Sequence, residues 1–134
     1  ASAAAVNDWI GATASDRWLM SLGVHHIGGL SILARAGLSG STVIQGPQRW
    51  EPQTFFEVLR DAQISLVSLV PTQLHDLIEL GLRAPLPLRC VFVGGAALSP
   101  TSEARARDLG WPILRTFGMT EASSQVATQP IETL

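Results

Sequence analysis

Short apolar runs alternate with longer amphipathic stretches along the chain, and this alternation predicts strands separated by helices. Five of the runs are almost continuously apolar, as in "SLVSLV", which is typical of strands that are buried on both faces of a parallel sheet. The predicted strands are Asp16–Leu22, Ser41–Gly46, Ser65–Val70, Leu88–Ala97, which runs into a Gly-Gly turn, and Pro112–Gly118.

Residues with helical spacing fill the intervals between these strands. Glu51–Gln63 is the clearest amphipathic helix, because Phe55, Val58, Leu59 and Ala62 recur on one face while charged residues occupy the other. The other predicted helices run from about His26 to Ala36, from Pro71 to Gly81, and from Pro100 to near Gly110 with Ser99 as the N-cap; an alanine-rich helical stretch precedes Gly11.

The repeated order of strand and helix predicts an α/β fold, with a mostly parallel sheet and helices on both faces. The 134 residues are about one ordinary domain, and they contain neither an internal repeat nor a linker. Ligands of such sheets bind beyond the carboxyl ends of the strands. The Gly94-Gly95 pair and Gly118 both fall at predicted strand ends of this kind.

Composition and charge exclude several classes of function. The net charge is −2 and the arginines form no cluster, so binding of nucleic acid through its phosphates is not expected. No apolar run approaches the ~18 residues that a membrane span needs, and the first residues do not resemble a signal peptide. Cys90 lies among apolar residues, so we interpret it as a buried, inert thiol. A single cysteine of this kind is compatible with the cytoplasmic location that we expect.

All nine basic residues are arginine, and the chain contains no lysine. A mechanism that needs a lysine ammonium must therefore obtain it from outside these 134 residues. Hydrophobic residues make up 46% of the chain and charged residues 15%, below the roughly one quarter usual for soluble domains. This excess of apolar residues predicts that the chain packs against something larger.

The turn in "VFVGGAALS" allows two interpretations. Its glycines permit the close approach of a nucleotide, but spacing alone favours an ordinary turn between a strand and a helix. The turn matches neither a Walker loop nor a G-x-G-x-x-G fingerprint.

The stretch "FGMTEASS" also allows two interpretations when it is considered alone. Thr120 can donate a hydrogen bond to an anionic oxygen, and the Glu121 carboxylate is the kind of hard ligand that Mg²⁺ takes. Alternatively, Thr120 caps a helix whose positive end Glu121 favours. His25 and His26 are adjacent without an evident third ligand, so we interpret them as structural or pocket-lining residues rather than a metal site.

Three stretches in order, "VHHIGGLSIL", "VFVGGAALSP" and "TFGMTEASSQVAT", resemble the adenylate-forming ligase superfamily, which includes acyl- and aryl-CoA ligases, luciferase and nonribosomal adenylation domains. Within it, "HIGGLSIL", "SLVPTQL" and "GMTEASSQVAT" are most similar to o-succinylbenzoate–CoA ligases of menaquinone synthesis. The resemblance implies that a small-molecule carboxylic acid attacks the α-phosphate of Mg·ATP to give an acyl-adenylate, from which coenzyme A then displaces AMP. The acid itself and the oligomeric state stay open, because benzoate-type and fatty-acyl ligases share much of this pattern.

The resemblance also implies roles for individual residues. Thr120 would contact the phosphates, Glu121 would be linked to magnesium, and these two would be the catalytic residues. His26 and Gly95 would line the acyl pocket, and the ring of Phe117 would stack by the adenine. The nucleotide-binding positions would be Gly94, Gly95, Ala96, Phe117, Gly118, Met119 and Thr120.

Two positions depart from the family pattern. Gly23 stands where the family usually has proline, and Phe117 stands where the family often has tyrosine. The family's lysine-ending glycine-rich loop, ribose-binding aspartate and mobile C-terminal domain find no counterpart in residues 1–134. We therefore expect an internal fragment of the AMP-binding domain, without P-loop or catalytic-lysine domain, that is inactive alone. The alternatives are a non-catalytic α/β module that binds a nucleotide or a partner, and a flavodoxin-like binding domain with contacts at other loops.

Overall fold

The computed structural model of the chain describes residues 7–8, 10–20, 27–94 and 98–115, and between 27 and 31 it describes the backbone alone. The strands are β1 (Arg17–Met20), β2 (Thr42–Gln45), β3 (Leu66–Leu69), β4 (Cys90–Val93) and β5 (Ile113–Arg115). The helices are α1 (Ile27–Ser39), α2 (Pro52–Asp61), α3 (Pro71–Glu79) and α4 (Pro100–Asp108). Each falls within or close to a predicted element, and Asn7, Asp8 and Ile10 are also helical.

The strands form one five-stranded sheet in the order β2-β1-β3-β4-β5. Every neighbouring pair in this sheet is parallel, so the predicted parallel α/β fold is confirmed. One row of register partners crosses four of the strands, namely Leu19, Val67, Val91 and Ile113. The order is that of doubly wound sheets, in which ligands bind where the strands end.

The two faces of the sheet carry separate hydrophobic clusters, as the prediction of helices on both faces requires. On one face, the row of Leu19, Val67, Val91 and Ile113 packs with Phe55 and Leu59 of α2, Leu74 and Leu77 of α3, and Ala106 of α4. On the other face, Trp18, Leu66, Cys90, Phe92 and Leu114 pack with Ile32 and Ala36 of α1. The sheet is therefore covered by helices on each side, with the core in two layers.

The amphipathic pattern of α2 is confirmed in detail. Phe55 and Leu59 are fully buried, Val58 and Ala62 pack partly against the same cluster, and the charged side is exposed. The end predicted for α1 at Ala36 is wrong by one turn, because Gly37 keeps the helical conformation. The helix ends at Ser39, and the φ of +78° at the following Gly40 suits a residue without a β-carbon.

A polar network lies where β1, β3 and β4 begin, at what we call the amino edge of the sheet. The carboxylate of Asp16 accepts from Arg89 Nε at 3.0 Å and from Arg89 Nη2 at 2.7 Å. It also accepts from the Ser65 hydroxyl at 2.7 Å and from the Thr13 backbone at 3.0 Å. Because Arg89 in addition donates to the Ile10 carbonyl at 2.8 Å, the network ties the N-terminal segment to the sheet.

Candidate functional site

Three adjacent strands end at one level on the opposite side of the sheet. Leu69 of β3 is the register partner of Val93 of β4, and Val93 is the partner of Arg115 of β5. We call the side of the sheet where these residues lie the carboxyl edge. Since parallel strands point the same way, the chain leaves β4 and β5 at this edge, about 4.8 Å apart. The segments after these two strands therefore start side by side.

Gly94 is the predicted site residue that the structure describes. It follows Val93 at the carboxyl edge, is half-buried, and its backbone N–H donates to the carbonyl of Leu69 at 3.2 Å. The remaining predicted site residues lie outside the described residues: His26, Gly95, Ala96, Phe117, Gly118, Met119, Thr120 and Glu121. Their roles stay predictions.

The helix that follows the Gly94 turn begins as predicted. Ser99 is the N-cap of α4, and its hydroxyl accepts a hydrogen bond from the backbone of Ser102 at 3.1 Å. Pro100 occupies the start of the helix, where the missing N–H costs nothing. The chain thus passes from the carboxyl edge into a helix with a defined beginning.

An ion-pair cluster then connects α4 to β5, and we call it the Glu103 cluster. Glu103 Oε2 contacts Arg107 Nη2 at 3.0 Å, and Glu103 Oε1 contacts Arg115 Nη1 at 3.2 Å. Arg107 Nη2 donates in turn to the backbone carbonyl of Ile113 at 3.1 Å. The sequence analysis missed this cluster; the (i, i+4) spacing of Glu103 and Arg107 was a signal for one pair, whereas nothing in the sequence pointed to Arg115.

A buried arginine on the α1 face was also missed. The Arg35 side chain lies with its guanidinium carbon 5.1 Å from the ring centroid of Phe92 and 5.7 Å from that of Trp18. The residue is 3% exposed, and this burial lowers the pKa of Arg35 to about 10. It therefore stays cationic at neutral pH and is held against two aromatic faces.

Cys90 confirms the prediction of an inert thiol. It is fully buried in β4, and burial raises the pKa of Cys90 to about 12. A thiol with such a pKa carries almost no thiolate at neutral pH, so it is a poor nucleophile.

Among residues 7–8, 10–20, 27–94 and 98–115, no three His, Cys, Asp or Glu side chains come together in a way that could hold a metal ion. Over those same stretches, the helices are too short or too polar to cross a bilayer. The magnesium-linked position predicted from the sequence, Glu121, lies outside the described residues.

Solved structures of a related enzyme share this architecture. The structure of o-succinylbenzoate coenzyme A synthetase (MenE) from Bacillus subtilis with ATP and a magnesium ion is 33% identical, has a TM-score of 0.90, and is matched over 98% of this chain and 27% of its own. A double mutant of that enzyme, bound to the product analogue OSB-NCoA, has a TM-score of 0.91 with the same identity of 33% and the same coverage of 98% and 27%.

The sequence comparisons agree with the structural ones. The 2-succinylbenzoate–CoA ligase of Staphylococcus aureus (strain MSSA476) is 36% identical over 134 residues, which are 100% of this chain and 27% of that protein. The chain thus spans about a quarter of the length of the curated relatives it matches. A family model described as AMP-binding enzyme matches residues 1–133.

The described strand order is compatible with both the predicted superfamily and the flavodoxin-like alternative. The family match decides between them, because it confirms the superfamily and overturns the flavodoxin-like alternative. The family model covers nearly the whole chain. The chain belongs to the AMP-binding enzyme family.

Proposed function

We propose that the protein carrying this chain is an ATP-dependent acid–CoA ligase whose acid is o-succinylbenzoate. In the first step, a carboxylate oxygen attacks the α-phosphorus of ATP and pyrophosphate leaves with the electron pair of the broken P–O bond. In the second step, the sulfur of coenzyme A attacks the acyl carbon, its proton is lost, and AMP leaves. The product is the acyl-CoA thioester.

One observation carries the proposal: β4 and β5 are parallel neighbours that end in register at Val93 and Arg115. Both turns to which we assign the nucleotide follow these strand ends, so one ligand can contact both. Strand ends on opposite edges would have excluded a shared site. The names and ligands of the related enzymes, which include ATP, magnesium and a CoA product analogue, support the choice of reaction.

The assigned residues have complementary tasks at this edge. The backbone of Gly94–Ala96 lies against the adenine and the acyl group, and the Phe117 ring stacks beside the base. The Thr120 hydroxyl donates to a phosphate oxygen, and the Glu121 carboxylate holds magnesium, which when bound neutralises charge on the triphosphate. His26 lines the acyl pocket close to the reacting carboxylate.

The chain supplies only part of the catalytic machinery in this proposal. It contains no lysine, so any ammonium that neutralises the phosphates or assists adenylation comes from another part of the protein. We therefore expect the 134 residues to be inactive when produced alone. A cytoplasmic location, where ATP and coenzyme A are both available, belongs to the same proposal.

The test is acid-dependent ATP–pyrophosphate exchange by the full-length protein. A panel of carboxylic acids, with o-succinylbenzoate first and other aryl and fatty acids after it, identifies the substrate. We expect Glu121→Gln to reduce exchange by about 10²–10³-fold, the usual cost of losing one contact to the transition state. Full activity of that variant would contradict the assigned magnesium role, and no exchange with any acid would favour a non-catalytic nucleotide-binding module.

A further inference from the structure

We infer that Glu103 is a positioning residue that holds α4 against the end of β5, and so aligns the two elements that flank the proposed nucleotide-binding turns, an inference that rests on the proposed function. Glu103 is in α4 and belongs to neither predicted turn. It acts through Arg107 and Arg115, the other side chains of the Glu103 cluster.

Both carboxylate oxygens of Glu103 are engaged. Oε2 accepts from Arg107 Nη2 at 3.0 Å and from Arg107 Nε at 3.2 Å, whereas Oε1 accepts from Arg115 Nη1 at 3.2 Å. The Glu103 side chain is 17% exposed, so these contacts are shielded from water more than an ordinary surface pair. The carboxylate is therefore held from two sides.

The cluster joins the two elements that carry the turns. The Gly94 turn leads into α4, whose first turn is fixed by the Ser99 cap. Arg115 is the last residue of β5 and stands two positions before Phe117. A carboxylate on α4 that binds Arg115 therefore links the element after one turn to the strand before the other.

The apolar contacts of α4 with the core come from Ala106 and, beside the two ends of the helix, from Leu98 and Leu109. Ala106 is the buried residue within this helix, and its small side chain provides little area against the sheet. Arg107 adds a second attachment to β5, since it donates to the Ile113 carbonyl at 3.1 Å. The polar contacts described between α4 and β5 thus include two that involve Glu103 and one from the neighbouring Arg107.

The same helix provides a matched control pair. Arg105 Nη1 contacts Glu79 Oε1 at 2.6 Å, which ties α4 to α3 rather than to β5. The side chains of this pair are 47% and 51% exposed. Its loss removes an ion pair of α4 but leaves the connection to β5 intact.

The experiment compares Glu103→Gln, Arg115→Met, the double variant, Arg115→Lys and Arg105→Met in the full-length protein. Steady-state ATP–pyrophosphate exchange gives kcat and the KM for ATP, and thermal melting reports stability. We expect Glu103→Gln and Arg115→Met each to lower kcat by about 10-fold, because small displacements of reacting groups can cost up to about 10²-fold. The KM for ATP should change less than kcat, since the turns still bind but are misaligned.

The conservative and double variants separate positioning from a general loss of structure. We expect Arg115→Lys to recover most of kcat, and the double variant to be no worse than either single variant, because the two residues act as one unit. Arg105→Met should keep the kcat of the wild-type protein.

Two results would overturn the inference while leaving the proposed function in place: unchanged kcat in Glu103→Gln, or an equal loss in Arg105→Met. If Glu103→Gln does not fold, Arg115→Met and Arg115→Lys decide by the same criteria, since both keep α4 unaltered. A wild-type protein without exchange activity would overturn the proposed function, and this inference with it.

Discussion

Val93 and Arg115 are register partners at the ends of two adjacent parallel strands. This pairing brings together two strand ends that are more than twenty residues apart in the sequence. The adjacency of these strand ends is the observation on which the proposed nucleotide site at the carboxyl edge rests.

The network at the amino edge predicts sensitivity to acid. Asp16 is buried, which alone would raise its pKa, but hydrogen bonds from Arg89, Thr13 and Ser65 lower the pKa of Asp16 below its usual value of 3.8. A carboxyl with a lowered pKa in the folded state stabilises the fold above its unfolded pKa. That contribution is therefore complete above about pH 5 and is lost as the pH falls through the lowered pKa.

We expect Asp16→Asn to lower the free energy of unfolding by about 2 kcal/mol at pH 7. Breaking a fully buried ion pair costs about 3–5 kcal/mol. The effect here should be smaller because the Arg89 side chain is 36% exposed. Urea titrations of the full-length protein at several pH values would measure this difference, which should shrink below pH 3.8. The control is Asp61→Asn, which removes an exposed pair with Arg60. A difference that is constant from pH 7 to pH 2 would contradict the prediction.

The burial of α2 predicts that two leucines differ in how much they contribute to the stability of the fold. Leu59 is fully buried, whereas Leu38 of α1 is 62% exposed. We expect Leu59→Ala to destabilise the fold by about 2–5 kcal/mol, since it removes buried methyl groups and leaves a cavity. Leu38→Ala should change stability by no more than about 0.5 kcal/mol. Denaturation of the full-length protein measures both, and equal effects would show that the described packing is wrong.

The raised pKa of Cys90 predicts that an alkylating reagent modifies this thiol slowly in the native protein. At pH 8 a thiol with a pKa of about 12 is almost entirely protonated, and burial in β4 blocks the approach of a reagent. We expect iodoacetamide to leave Cys90 unmodified in the native protein and to alkylate it after unfolding in urea, as read by mass spectrometry of its peptide. Rapid alkylation under native conditions would contradict the burial of this strand.

The order of elements was predictable because short apolar runs mark the strands, most clearly in β3 and β4. The pattern of α2 was predictable for a similar reason, since Phe55 and Leu59 recur at helical spacing. The order of strands in the sheet was not, because β1 pairs with β3 across the whole of α1, β2 and α2. Such pairing depends on tertiary packing rather than on local periodicity.

The polar contacts between distant residues were also not predictable from local sequence patterns. Asp16 and Arg89 are 73 residues apart, so no spacing rule connects them. Arg35 packs against Trp18 and Phe92, which lie on two different strands, so its local sequence does not reveal its burial. The candidate site itself was found through its resemblance to a family, because glycines, a threonine and a glutamate have ordinary structural explanations when taken singly.

The most direct test of the shared nucleotide site is hydrogen–deuterium exchange of the full-length protein with and without Mg·ATP. If both turns hold the nucleotide, peptides covering residues 94–99 and 116–122 should gain protection together on addition of ATP. Peptides at the amino edge, such as one covering residues 12–16, should exchange at the same rate in both conditions. Protection of only one turn, or protection centred on the amino edge, would contradict the account.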